Sequence, residues 1–212
     1  MNRWLSSASV AGLLALPVAL NAQPAPRPSA GASQRAPVQP VLMMEDQFEK
    51  THNVTDYRGE IVVFVYGDRL AAAANKTLGE QIHVHFHPTA QGMPADKARQ
   101  ASVRPLPDLP SGTRNPEVRS VPVACIGNVP RLVRGVMRGQ FRIGSPDMPV
   151  WLDFDDQMKK QEFPFTAGVP NVVVIDAAGQ LRYSHSGQVG RDQFAQMTAT
   201  IESLRKEAVG AK

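Results

Sequence analysis

The chain predicts an α/β fold, a three-layer sandwich whose central mixed β-sheet is flanked by helices and interrupted by a long proline-rich insertion. Three observations predict it. Ile61-Val62-Val63-Phe64-Val65-Tyr66 is a continuous β-branched and aromatic run, as expected of a strand buried on both faces. An alanine-rich segment, Leu70 to Gln81, follows it with high helical propensity. Toward the other end, two short strands flank Asp176-Ala177-Ala178-Gly179 and an amphipathic helix follows. Strands that alternate with helices and finish in a hairpin plus helix pack as layers around one sheet.

The elements follow in order. Arg3, the short apolar run Val10 to Leu20 and Ala22 before Gln23 predict a signal peptide over residues 1–22. The run falls short of the ~20 apolar residues of a spanning helix, and no cysteine follows it to carry a lipid. Export to a periplasm or beyond is the expectation. Residues 23–40 are rich in Pro, Ala, Ser and Gln and predict a flexible linker. The domain then spans residues 41–212. Its insertion, about residues 88–118, carries Pro88, Pro94, Pro105, Pro107, Pro110 and Pro116, with a short helix expected near Ala95 to Ala101.

Val121 to Ile126 reads as the second strand. Asn128 is a candidate N-cap with Pro130 in the first turn, and Leu132, Val133, Val136, Met137 and Phe141 follow at helical spacing. Val150-Trp151-Leu152 is a third strand. Val172 to Ile175 and Leu181 to Ser184 form the hairpin, with Gly179 suited to its tight turn. Phe194, Met197, Ile201 and Leu204 mark the apolar face of the last helix.

Of the 212 residues one is cysteine, so no internal disulfide can form and an exported protein of this kind relies on its core. A net charge of +4 is too small to imply nucleic acid. Phosphate-binding glycine loops, serine nucleophile elbows and paired zinc-ligand motifs are absent from the sequence.

Several segments resemble the thioredoxin-like superfamily, in particular its exported redoxin and peroxiredoxin-like branch. Val54-Thr55-Asp56-Tyr57-Arg58-Gly59-Glu60 is similar to the lead-in to the first core strand of that branch. Pro149 to Asp153 resembles its third core strand, and Gly168-Val169-Pro170-Asn171 through Gly179 its cis-proline loop, strand, turn and strand. The resemblance implies a cis Val169–Pro170 bond in a loop that faces the first helix turn and presents backbone groups to an extended peptide or thiol substrate. It also implies reactive cysteines at the start of that helix, where the dipole stabilises a thiolate. Asp68 to Ala74 holds no Cys, Ser or Thr. The Gly67 to Asn75 segment resembles a cysteine-poor periplasmic thioredoxin-like family in which a Gly and a later Asn bracket the helix start.

The resulting expectation is an exported thioredoxin-fold domain that has lost dithiol chemistry, needs no cofactor and binds a protein or peptide of the cell envelope. Asp68, Arg69, Leu70, Val169 and Pro170 would form the binding surface. A second function class is a thiol-dependent redoxin or peroxidase using Cys125, alone or with a partner's thiol; its place in the second strand favours a small buried hydrophobe instead. A third is a metal-binding module on His83, His85 and His87, which share a face if extended, while His83 and His87 stand four apart if helical. Arg131, Arg134, Arg138 and Arg142 fall opposite the apolar stripe of the second helix, a solvated face able to contact an anionic surface. Asp153, Asp155 and Asp156 read as turn and cap residues for a short helix.

Overall fold

A computed structural model describes residues 39–210 apart from 108, 110, 111 and 162. The signal peptide and nearly all of the linker expected from the sequence lie outside the described residues. Seven strands form one mixed sheet, ordered β2-β1-β5-β4-β3-β6-β7. They are β1 (Met43–Asp46), β2 (Thr51–Asn53), β3 (Ile61–Gly67), β4 (Val118–Cys125), β5 (Trp151–Asp153), β6 (Asn171–Ile175) and β7 (Leu181–Ser186). The helices are α1 (Ala72–Phe86), α2 (Ala95–Ala98), α3 (Arg131–Gly144), α4 (Gln157–Lys160) and α5 (Arg191–Ala208).

Every residue of β3 is buried, as its unbroken apolar run requires. It pairs parallel with β4 and antiparallel with β6. Ile61, Val63 and Val65 point to one face and pack under Leu78, Ile82 and Phe86 of α1 and Met197, Ile201 and Leu204 of α5. Val62, Phe64 and Tyr66 point to the other, where Leu42, Val54, Trp151, Met158 and Phe163 cover them. Two consecutive β-strand-to-helix-to-parallel-strand steps, β3-α1-β4 and β4-α3-β5, put α1 and α3 on the same face of the sheet. Among the described residues no helix is long and apolar enough to cross a membrane.

Three local features differ from the sequence expectation. α1 does not stop at Gln81 but runs to Phe86, because Ile82 and Phe86 continue the buried stripe begun by Leu78. α3 begins after Pro130, and Asn128 does not cap it. The third lies in the proline-rich insertion, which is held to the domain. Val103 and Leu106 are buried, and the fully buried guanidinium of Arg205 on α5 donates to Arg104 O and Pro116 O at 2.6 and 3.1 Å. Within it α2 spans only four of the residues expected to be helical.

Candidate functional site at the start of the first helix

β3 ends at Gly67, and the chain turns directly into α1 under the control of Asp68. Its Oδ1 accepts from Leu70 N and Ala71 N at 3.0 and 3.1 Å, the bonds of a side-chain cap. Its Oδ2 accepts from Gly168 N at 2.9 Å, which ties the helix start to the proline loop. Gly67 is required here. A Cβ at this position would lie 2.8 Å from both Ala71 Cβ and Asn75 Nδ2, so the glycine lets the helix close over the strand end. The Gly67–Asn75 bracket read in the sequence is therefore a direct packing contact.

The proline loop is built on a buried asparagine that the sequence reading did not single out as a site residue. Asn171 Nδ2 donates to Val169 O at 3.0 Å, to Thr166 O at 3.1 Å and to Tyr66 O at 3.3 Å, and its Oδ1 accepts from Thr166 N at 2.8 Å. Gly168 takes φ +76°, a left-handed conformation that glycine adopts at little cost. Val169–Pro170 in this loop is trans. No cis peptide occurs among the described residues, which corrects the cis-proline expected from the resemblance. The loop carbonyls are also occupied: Pro170 O accepts from Gly187 N at 2.9 Å, and Val169 O is held by Asn171. What this edge offers outward is side chain, above all Leu70, which is 81% exposed beside Gly168.

Cys125 is the last residue of β4, opposite Asp153 of β5 and close to the Gly67 backbone, and it is partly buried against the core. Burial, then the negative charge of Asp153, push its thiol up to about 12. The opposing influences, the charge of Lys159 and a hydrogen bond with the Gly67 backbone, are smaller, and Lys159 is itself ion-paired with Asp156 at 3.0 Å. A thiol held protonated is a poor nucleophile.

The histidines are divided rather than gathered. His83 and His87 stack with ring centroids 4.3 Å apart, whereas His85 turns away to pack edge-on against Phe194 of α5. His83 Nε2 donates to Ala98 O at 2.9 Å, His87 Nδ1 to His83 O at 3.0 Å, and His87 Nε2 meets the Glu117 carboxylate. Three of the four ring nitrogens in the stacked pair are thus engaged. Among the described residues no group of three or more His, Cys, Asp or Glu could hold a metal ion. The three-histidine ligand set expected from spacing alone does not form. Burial lowers the pKa of His83, the bond to Ala98 O opposes it, and the charge of His87 lowers it further. Burial pushes Glu117 up, but the hydrogen bond and charge of His87 outweigh it, and the carboxyl lies below its ordinary value.

α3 is turned about relative to expectation. Arg134 bonds Asp155 at 2.7 Å, Arg138 bonds Glu45, and Arg142 bonds Glu49 at 2.9 Å and Gln47 O at 2.6 Å. Arg134 and Arg138 also lie over the Phe154 ring at 5.0 and 5.4 Å. Three of the four arginines therefore hold the helix to its own domain, while Leu132, Val136 and Ile143 face solvent. Met137 and Phe141 alone of the apolar positions on α3 pack against Val150, Leu152 and Phe154. Asp153 caps α4 as expected, accepting from Gln157 N at 2.8 Å and Met158 N at 3.0 Å.

No family model and no curated protein matches the chain. Solved structures do. A secreted thiol-disulfide isomerase from Corynebacterium glutamicum aligns over 78% of this chain and 85% of its own, at 10% identity and TM-score 0.50. A thioredoxin-family thiol:disulfide interchange protein from Chlorobium tepidum aligns over 84% and 100%, at 14% identity and TM-score 0.46. An exposed lipoprotein thioredoxin from Streptococcus pneumoniae aligns over 75% and 98%, at 16% identity and TM-score 0.44. The chain has the thioredoxin-like fold, and its one cysteine lies at the end of β4 and not at the start of α1.

Proposed function

We propose that this chain is an exported thioredoxin-fold module of the cell envelope that binds a protein or peptide without thiol chemistry. The observation that carries the reading is the helix start itself. Asp68 caps it, Leu70 stands exposed on it, and the only thiol lies at the end of β4 with its pKa pushed up to about 12. Disulfide exchange needs an attacking thiolate and a second thiol to resolve the mixed disulfide, and Cys125 supplies neither role. Contact with a partner at this edge runs through Leu70, Arg69 and the Val169 side chain, because the loop carbonyls are already bonded.

The test places a photo-crosslinking amino acid at position 70 in the full chain and irradiates cells that produce it. A discrete adduct, absent when the crosslinker is moved to exposed Lys206 on α5, supports the reading. Adducts no different between the two positions would remove it. Insulin reduction and peroxide consumption should be at background and unchanged by Cys125→Ser; activity lost with Cys125→Ser would establish the thiol enzyme instead.

A further inference from the structure

β4 is eight residues long and β5 three, and the mismatch leaves an opening inside the sheet. Along one side, Val118 to Ala124 pair with β3 without interruption. Along the other, β5 pairs only with Val123, Ala124 and Cys125. Among the described residues, therefore, the stretch Val118 to Pro122 has a strand neighbour on one edge alone. The gap is held open by design of the chain leading into β5. Gln47, fully buried, donates through Nε2 to Ser145 O and Met148 O at 2.8 Å each, and its Oε1 accepts from Val150 N at 2.8 Å. These three bonds tie residues 145–150 to the turn after β1, and Met148 and Pro149 face the opening.

The space so created is a cavity of about 760 Å³, within the range of ligand pockets. All five residues from Val118 to Pro122 line it, together with Gly79 and His83 from the α1 side of the sheet and Tyr57 and Trp151 from the other side. The cavity therefore runs along the strand's edge. Its far walls are Gly79 and His83 of α1 and Ala98 of the insertion, and His83 Nε2–H to Ala98 O ties those two walls together. None of Asp68, Leu70, Val169 or Pro170 lines it.

We propose that this open edge of β4 takes up an extended peptide from a partner protein as an added strand. A row of unpaired backbone N–H and C=O groups is the template for such pairing. Five residues at ~3.3 Å each give a ladder of about 16 Å, and Pro122, which has no N–H to offer, ends it. The rim selects for acidic sequence. Arg119 is paired with Glu60 and Glu117 is hydrogen-bonded to His87, whereas Lys50, Lys76 and Arg99 have no carboxylate partner among the described residues. They outnumber Asp56 and Glu80, the lining acids without a cation. The inference is independent of the proline-loop reading, since it concerns the other end of α1.

The test titrates the full chain with a fluorescein-labelled hexapeptide of alternating valine and aspartate, read by anisotropy and by amide NMR. The expected result is saturable binding with the largest amide shifts at Val118 and Ser120, whose N–H groups face the open edge, the groups of Arg119 and Val121 being turned to β3. Replacing the aspartates by lysines, or N-methylating alternate backbone amides, should each weaken binding at least tenfold. Gly79→Leu, which projects from α1 into the cavity, should do the same. The N-methyl comparison needs no variant and so stands even if that one misfolds. Absence of saturable binding would overturn the proposal, as would equal binding of the N-methylated peptide. Shifts centred on Leu70 and Val169 would do so too, while leaving the proline-loop reading intact. Succinate alone reproducing the shifts would make the cavity a small-anion pocket and overturn it.

Discussion

Asp68 and Gly168, one hundred residues apart, are joined by a 2.9 Å hydrogen bond from the Gly168 N–H to Asp68 Oδ2. The same carboxylate caps α1 through Leu70 N and Ala71 N, so one side chain fixes both halves of the candidate binding edge. Asp68→Ala strands three donors. It should lower stability by about 1–3 kcal/mol, read as a reduced urea midpoint with unchanged slope. A midpoint equal to that of the parent chain would show that the edge is set by other contacts.

Cys125 should be slow toward alkylation at neutral pH. A thiol raised from 9.0 to about 12 loses roughly a thousandfold in thiolate at fixed pH, of which greater intrinsic nucleophilicity restores about twenty- to thirtyfold. The native chain should therefore react with iodoacetamide at least about 30-fold more slowly than its urea-unfolded form at pH 7.5. The folded thiol is the weaker acid, so its contribution to stability is complete below pH 9 and is lost as pH climbs toward 12. Equal rates for folded and unfolded chain would contradict the burial described.

Acid should loosen the stacked histidine pair before it reaches the carboxylates. The pKa of His83 is lowered in the fold, so its contribution is present above the ordinary value of 6.5 and lost as pH falls below it. The Glu117 carboxyl, also lowered, adds a second loss below 4.5. His85, lowered chiefly by burial, acts in the first window, though it is only partly buried and solvent screening makes it count for less. Urea unfolding at pH 7.5 and 5.5 should show a fall that His83→Gln reduces. A fall of the same size in His83→Gln would assign it elsewhere.

Two glycines near α1 should answer oppositely to alanine. At Gly79 a Cβ would rest 3.5 Å from Ser120 Oγ, an ordinary contact, and the helix interior gains about 0.5–1 kcal/mol. At Gly67 it would lie 2.8 Å from two atoms, and overpacking costs about 1–3 kcal/mol. Thermal melts of Gly79→Ala and Gly67→Ala should move up and down respectively; movement in the same direction would refute the packing account.

The legible part of this fold was the part with period. β3, the β6–β7 hairpin and α5 carry their burial in local pattern, and the sheet follows from them. β1 and β2, three or four residues each, are too short to show alternation. The buried polar anchors were illegible for a different reason. Gln47 meets Val150 across 103 positions and Arg205 meets Arg104 across 101, so no window of sequence contains both partners. α3 shows the same limit in its orientation. Its stripe of apolar residues was plain, but Glu45, Glu49 and Asp155, which draw its arginine face inward, lie outside the helix. At the candidate site the empty helix start could be read directly. The trans bond at Pro170 is set by the loop as a whole, and the resemblance alone did not contain it.

The arginine-side docking of α3 gives the molecule an unusual solvent response. Hydrophobic contacts strengthen as salt is added, whereas exposed ion pairs fade once the screening length shrinks toward ~3 Å in 1 M electrolyte. α1 and α5 sit on buried aliphatic rows and will tighten under those conditions; α3, gripped through Arg134 and Arg142 at half-exposed carboxylates, will slacken. Ionic strength thus separates the helices of one domain into two populations, and the surface bearing Leu132, Val136 and Ile143 belongs to the one that brine releases.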